Sequence, residues 1–322
     1  MLINGACADY GSKYCPCIMA EKGHCVVCSR VNGSDNCDCS IYGGGFCVLE
    51  ELQRNNGKAQ PMRSTYTCSV MTIFKHESFI YMKLNMPSDF EYEVKLPGSF
   101  VFIRTSENSW FDVPISVQFD ECYVGSIEVY ISTCGIKTKC FENLKGGDTV
   151  YVRGPFFSGL LGKRELQSQQ NGKCLVFAKG VALIPSISVI KYLKNQGNDV
   201  KIFVDDSSFS NEYLDFHLKL FELDYESIVL SDQNGELTET VKNILCSFVD
   251  SGGDFIHIGT SEYVIHLVVN YLKSIHAQHI HLTCCNNEKM CCAEGICGAC
   301  TSTNSNRKTI HSCKEQISVW EK

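Results

Sequence analysis

The rhythm of apolar and polar positions changes along this chain. Between residues 62 and 165 the apolar residues come in short alternating runs broken by Gly, Pro, Ser and Asn. "STYTCSVMTIFKHESFIYMKLNMP" predicts two strands and a turn. "GSFVFIR", "ISVQF", "GSIEVYIS" and "DTVYVRGP" predict further short strands. Strands at about ten-residue spacing predict a small antiparallel barrel or sandwich.

From residue 170 to 283 apolar runs alternate with helical periodicity. "GKCLVFAKG", "DVKIFVDD", "SIVLSD", "DFIHIGT" and "HIHLTC" predict strands. Between them, "IPSISVIKYLKNQGN", "NEYLDFHLKLFE", "LTETVKNILCSFVDSGG" and "SEYVIHLVVNYLKSIH" predict helices; in the first, Ile187, Ile190 and Leu193 fall on one face. This alternation predicts a parallel sheet covered by helices on both faces. Ligands on such sheets bind beyond the carboxyl ends of the strands, which selects 178–185, 205–208 and 259–263. Asp205 and Asp206 at one strand end are candidates for a ribose contact, with solvated loop carboxylates as the plainer reading.

The 322 residues suffice for two or three domains. A charge of -7 without a basic block argues against nucleic acid as a partner. No run reaches the roughly 18 apolar residues of a membrane span, and the N-terminus lacks a signal peptide's apolar stretch, so a cytoplasmic, non-membrane protein is expected. Cysteine changes the picture most. Eight of the 21 lie in the first 47 residues and seven after residue 283. In a reducing compartment, clusters of this kind point to metal rather than disulfides.

The C-terminal cluster contains "CCAEGICGAC" at 291–300. Cys292, Cys297 and Cys300 have the spacing C-x4-C-x2-C, and Cys313 follows after twelve residues. That is the ligand spacing of plant-type [2Fe–2S] sites. Three thiolates must converge from one tight loop, and Gly295 and Gly298 let the backbone turn. Zinc is the alternative, but zinc knuckles favour paired C-x2-C elements and only one is present here. Cys291 is an alternative ligand; Cys284 and Cys285, at a strand end, are expected to be packing residues.

With these marks in place, residues 62–320 resemble the electron-transfer subunits of dihydroorotate dehydrogenase and of sulfide dehydrogenase-like bifurcating oxidoreductases, within the ferredoxin–NADP reductase superfamily. The resemblance rests on "PGSFVFIR" (97–104), "VPIS" (113–116), "GIKT" (135–138), "LKGGDTVYVRGP" (144–155), "GVALIP" (180–185) and the cysteine loop. It implies FAD on the barrel, through Ile115, Ser116, Gly135, Lys137 and Thr138. It implies NAD(P) on the α/β domain, through Gly180, Pro185 and Gly259. It also implies a [2Fe–2S] cluster that passes electrons to a flavoprotein oxidoreductase subunit, dihydroorotate dehydrogenase-like or glutamate synthase-like. The chain departs from the family at several points. Val113 stands where the family has an arginine for the FAD diphosphate, a contact typically worth about 1.5–3 kcal/mol. Lys137 and Ala182 replace glycines, and Ile258-Gly259-Thr260 replaces Cys-Gly-Pro. These departures leave two expectations open: FAD bound more loosely with nicotinamide weak or absent, or a relay-only iron–sulfur subunit whose flavin and nucleotide sites have degenerated.

The N-terminal stretch is an added module. Cys15, Cys17, Cys25, Cys28, Cys37, Cys39 and Cys47 follow the rhythm C-x-C, C-x2-C, C-x-C, C. Its polar, glycine-rich sequence cannot build a core, so a metal is expected to supply folding energy. An additional iron–sulfur cluster and structural zinc both fit. The expected organisation is α+β and multidomain: a cysteine-rich metal module (1–58), an antiparallel FAD-type β-barrel (62–165), an NAD-type α/β domain with a parallel sheet (170–283) and a [2Fe–2S] segment (284–322). No nucleophile or acid–base pair stands out, which points to cofactor chemistry rather than side-chain catalysis.

Overall fold

The computed structural model describes residues 6–37, 45–76, 79–88, 90, 94–118, 125–207, 223–303 and 309–322. Cys39 and the helix expected from "NEYLDFHLKLFE" lie outside the described residues.

Six strands close into an antiparallel barrel: β1 (Thr65–Lys75), β2 (Phe79–Asn85), β3 (Phe100–Arg104), β4 (Val113–Gln118), β5 (Ser126–Ser132) and β6 (Thr149–Phe156), in the order β1-β2-β5-β4-β3-β6. Closure leaves no free edge. Alternate side chains of β2 and β5, among them Met82, Leu84, Ile127, Val129 and Ile131, meet in its core.

A second sheet has the order β10-β9-β8-β11-β12-β7. Its parallel strands are β8 (Lys173–Lys179), β9 (Asp199–Asp205), the two-residue β10 (Glu226–Ser227), β11 (Phe255–Gly259) and β12 (His281–Cys285). The edge strand β7 (Leu160–Leu161) runs antiparallel to β12 and ties the barrel exit to this sheet. No sequence pattern announced β7, because two residues are too few to show a period. Helix α4 (Leu183–Asn195) covers one face with Ile187, Ile190 and Leu193. Helices α5 (Glu239–Asp250) and α6 (Glu262–Ser274) cover the other with Val241, Leu245, Ile265 and Val268. Gln118 of β4 joins barrel to α/β domain: its Nε2 donates to Ile184 O (2.5 Å) and Ser188 Oγ (3.0 Å).

The N-terminal module contributes α1 (Ile18–Glu21) and α2 (Val48–Arg54) around a small core of Tyr10, Ala20, Val27 and Val48, which corrects the expectation that its sequence has too few apolar residues for one. The short α3 (Lys163–Ser168) follows β7. After β12 the chain forms the cysteine loop, then the hairpin β13 (Thr301–Thr303) and β14 (Thr309–His311). Its last turn docks on the α/β domain, where Trp320 Nε1 donates to Ile280 O (3.1 Å).

Candidate functional site

A cleft of about 400 Å3 opens between the barrel and the carboxyl ends of β8 and β12. Its walls include Phe100, Val113, Ile115 and Tyr130 from the barrel, Ala182, Ile184 and Pro185 at the start of α4, Cys285 at the end of β12, and Asn286, Asn287, Glu288 and Met290 beyond it. Of the flavin residues expected from sequence, Ile115, Ser116 and Thr138 line the cleft, as does Pro185 of the nucleotide set. Gly135, Lys137, Gly180 and Gly259 are not among its lining residues. Gly135 and Thr138 build a tight turn, in which Thr138 Oγ1 donates to Gly135 O (2.9 Å). The Lys137 ammonium stands 5.4 Å from the centre of the Phe111 ring. Gly180 is left-handed (φ 59°) with open space around it.

Two features near the strand ends have structural roles of their own. A Cβ at Gly259 would lie 1.9 Å from Ser186 Oγ, so this glycine lets α4 approach β11. Asp205 is buried and forms an ion pair with Lys179 (2.7 Å); it also accepts from Leu230 N (3.0 Å). Burial alone would raise its pKa, but the hydrogen bonds from Lys179 and Ser207 prevail and lower it. It is not a solvated loop carboxylate. Asp206 accepts from Ser227 Oγ (2.7 Å).

The cleft fits a flavin ring better than a charged diphosphate. Apolar and aromatic walls suit a planar ring. Among the described lining residues Glu288 is the single charged side chain, and none is Lys or Arg.

The cysteine loop packs directly behind the cleft. Cys300, Cys313 and Ala293 are buried against Phe100, Phe102 and Phe156, with Met290 beside them. Ala293 (φ 55°), Gly295 (φ 79°) and Gly298 (φ 74°) all adopt the left-handed conformation that turns the loop tightly. Backbone N–H groups reach the sulfurs: Glu294 N donates to Cys292 Sγ (3.3 Å) and Ala299 N to Cys297 Sγ (3.5 Å). Cys300 and Cys313 hydrogen-bond each other, which lowers the Cys300 thiol to about 6 and raises that of Cys313. Burial raises Cys297, but the amide of Ala299 and contacts with Cys292 and Cys291 outweigh it, so its pKa falls. Amide donors aimed at the sulfurs suit an iron–sulfur cluster. Cys284 and Cys285 are buried strand residues; burial pushes the Cys285 thiol up to about 12.

Behind the loop sits a buried ion network. Arg63 Nη2 meets Asp9 (2.6 Å) and its Nη1 meets Glu294 (3.0 Å). Lys314 Nζ meets Asp9 (2.5 Å) and Glu294 (2.7 Å). Both cationic side chains are 1% exposed. Burial opposes charge on Asp9, but Lys314 and Arg63 hold its carboxyl well below the usual range. The network joins the N-terminal module, the linker and the cysteine loop, and none of its members is singled out by local sequence.

The N-terminal cysteines gather in two places. Cys7, Cys15, Cys17 and Cys25 line one small cavity together with Lys314. Cys28, Cys37 and Cys47 line another. Burial pushes the Cys15 thiol up to about 12 and raises Cys7 and Cys25. Among the described residues, no three His, Cys, Asp or Glu side chains converge closely enough for a single metal ion. Cys7 is absent from the ligand set expected from sequence, where the rhythm begins at Cys15.

No protein-family model matches the chain. It is 25% identical over 257 residues to the electron transfer subunit of dihydroorotate dehydrogenase B (NAD(+)) from Clostridium acetobutylicum, covering 79% of this chain and 95% of that one. It is 26% identical over 143 residues to the sulfhydrogenase 1 gamma subunit of Pyrococcus furiosus, covering 44% and 47%. The NADH-dependent reduced ferredoxin–NADP oxidoreductase, described for flavin-based electron bifurcation, shares the fold, with a TM-score of 0.58 at 18% identity over 79% of this chain and 88% of that one.

Proposed function

We propose that this chain is the electron-transfer subunit of a flavin and iron–sulfur oxidoreductase complex. The observation that carries the reading is the shared wall between cleft and cysteine loop: Phe100 and Met290 line the cleft and also pack with Cys300 and Cys313. Ile115, Ser116 and Thr138 would hold a flavin in the cleft, and Cys292, Cys297, Cys300 and Cys313 a [2Fe–2S] cluster on the loop. Such a pair lets two-electron traffic leave as single electrons. The loop meets solvent at Cys297 and at Ile296, which is 59% exposed. An exposed apolar side chain beside the cluster suits docking of a flavoprotein partner that holds the substrate site. The names of the two curated relatives support this reading: one is an electron transfer subunit of a dehydrogenase and the other the gamma subunit of a sulfhydrogenase.

The cleft also supports a looser FAD site, since its charged lining residue is the acid Glu288 and no Lys or Arg is among the described lining residues to meet a diphosphate. With Asp205 held by Lys179 rather than free for a ribose, the strand ends favour weak or absent nicotinamide binding. Anaerobic purification followed by flavin, iron and acid-labile sulfide counts tests the proposal. Flavin with sulfide supports it. Sulfide without flavin hands the case to the relay-only reading, and neither cofactor overturns both. Adding NADH or NADPH to the flavin-loaded protein reports on the nicotinamide site.

A further inference from the structure

We infer that Cys7, Cys15, Cys17 and Cys25 ligate an iron–sulfur cluster of their own, which exchanges electrons with the C-terminal cluster through the Cys313–Lys314 segment. This rests on the proposed [2Fe–2S] site and extends it.

Two observations carry the inference. First, these four cysteines line one cavity, while Cys28, Cys37 and Cys47 line a second. The sequence divides the same way. Cys7 to Cys25 read C-x7-C-x-C-x7-C, and the next set, starting at Cys28, repeats it as C-x8-C-x-C-x7-C. A repeat of this kind assigns Cys7 to the first set. Second, the cavity abuts the cysteine loop. Lys314, next to Cys313, lines it. Ala8 N, one residue from Cys7, donates to Lys314 O (2.7 Å), and Gln316 N donates to Ala6 O (3.1 Å). Two hydrogen bonds, flanking an antiparallel bridge between Cys7 and Glu315, therefore link the backbone of one ligand set to that of the other. Met19, which also lines the cavity, packs so closely on Gly295 that a Cβ there would lie 2.2 Å from its sulfur.

The exchange moves one electron and no proton. The C-terminal cluster is oxidised as the N-terminal one is reduced, and no bond forms or breaks.

The test uses the full chain, purified anaerobically and reduced stepwise with dithionite. Electron paramagnetic resonance should show a second iron–sulfur signal beside that of the [2Fe–2S] cluster. Reducing the second centre should raise the microwave power needed to half-saturate the [2Fe–2S] signal severalfold, a readout that needs no variant. Cys7→Ser and Cys17→Ser should remove the second signal and leave the first; Cys297→Ser should do the reverse. Zinc in the unmodified module in place of iron, a second signal that survives both Cys7→Ser and Cys17→Ser, or two signals without mutual relaxation would overturn the inference. A second signal with no [2Fe–2S] signal in the unmodified chain would instead count against the functional reading on which the relay rests.

Discussion

At Lys314 one ammonium, buried to 1% exposure, faces the carboxylates of Asp9 and Glu294. Lys314→Met removes it and leaves two acids to share Arg63. Breaking a buried pair in this way costs about 3–5 kcal/mol. The expected result is release of the N-terminal module, read as faster proteolytic cleavage before residue 62 while the barrel stays resistant. His257 supplies a second residue-scale prediction. It is buried between Ser186 Oγ (3.1 Å from Nε2) and Thr283 Oγ1 (2.8 Å from Nδ1), and burial lowers its pKa to about 3. Its depressed value means that the unfolded chain binds the extra proton between pH 3 and the ordinary 6.5. Stability of the α/β domain is therefore full above pH 6.5 and falls as pH drops, by about 1.4 kcal/mol per unit. Hydrogen exchange of β11 should show that slope in the native chain and lose it in His257→Gln. Neither residue was legible in the sequence. Lys314 and His257 owe their roles to partners distant in the chain, at Asp9 and Ser186, and no local pattern records such meetings.

At the scale of elements, the closeness of α4 to β11 depends on Gly259. Gly259→Ala drives a Cβ into Ser186 Oγ, and overpacking of this kind costs about 1–3 kcal/mol. Gly259→Ala combined with Ser186→Gly should recover part of the loss in thermal unfolding; no recovery would mean that the contact with Ala182 O at 3.1 Å dominates. Strands and helices were the most readable level. The six barrel strands, and α4, α5 and α6, stand where alternation and helical periodicity placed them, because each buries one face in a core. "SIVLSD" reads as a full strand, yet β10 spans only Glu226–Ser227. It is the sheet's outer edge, where pairing is one-sided and apolar residues such as Ile228 and Leu230 can be buried without extending the ladder. The C-terminal cysteine loop stood out in the sequence because one short segment carries three of the four cysteines proposed as ligands. The grouping of the N-terminal cysteines was obscured by their number, until the two cavities separated them.

For the whole molecule, function depends on how the modules meet. The cleft takes its walls from the barrel, α4 and the segment after β12, and this composite could not be read from any one of them. Phe100, Tyr130 and Met290 carry no signature in sequence, since apolar residues at these positions equally suit a closed core. The cleft's charge yields a further prediction. Glu288→Gln should tighten FAD severalfold and leave riboflavin, which has no phosphate, unchanged; equal effects on both would show that Glu288 does not face the diphosphate. The central claim is that an electron placed on the flavin leaves through the cysteine loop. The most direct measurement is light-driven reduction of the flavin-loaded protein, with absorbance following the flavin and electron paramagnetic resonance following the cluster. The account predicts that the [2Fe–2S] signal grows at the rate at which reduced flavin is reoxidised, and that Cys297→Ser leaves the flavin reduced with no such signal. A cluster that stays oxidised beside reduced flavin in the unmodified chain, yet is reduced by dithionite, would contradict it.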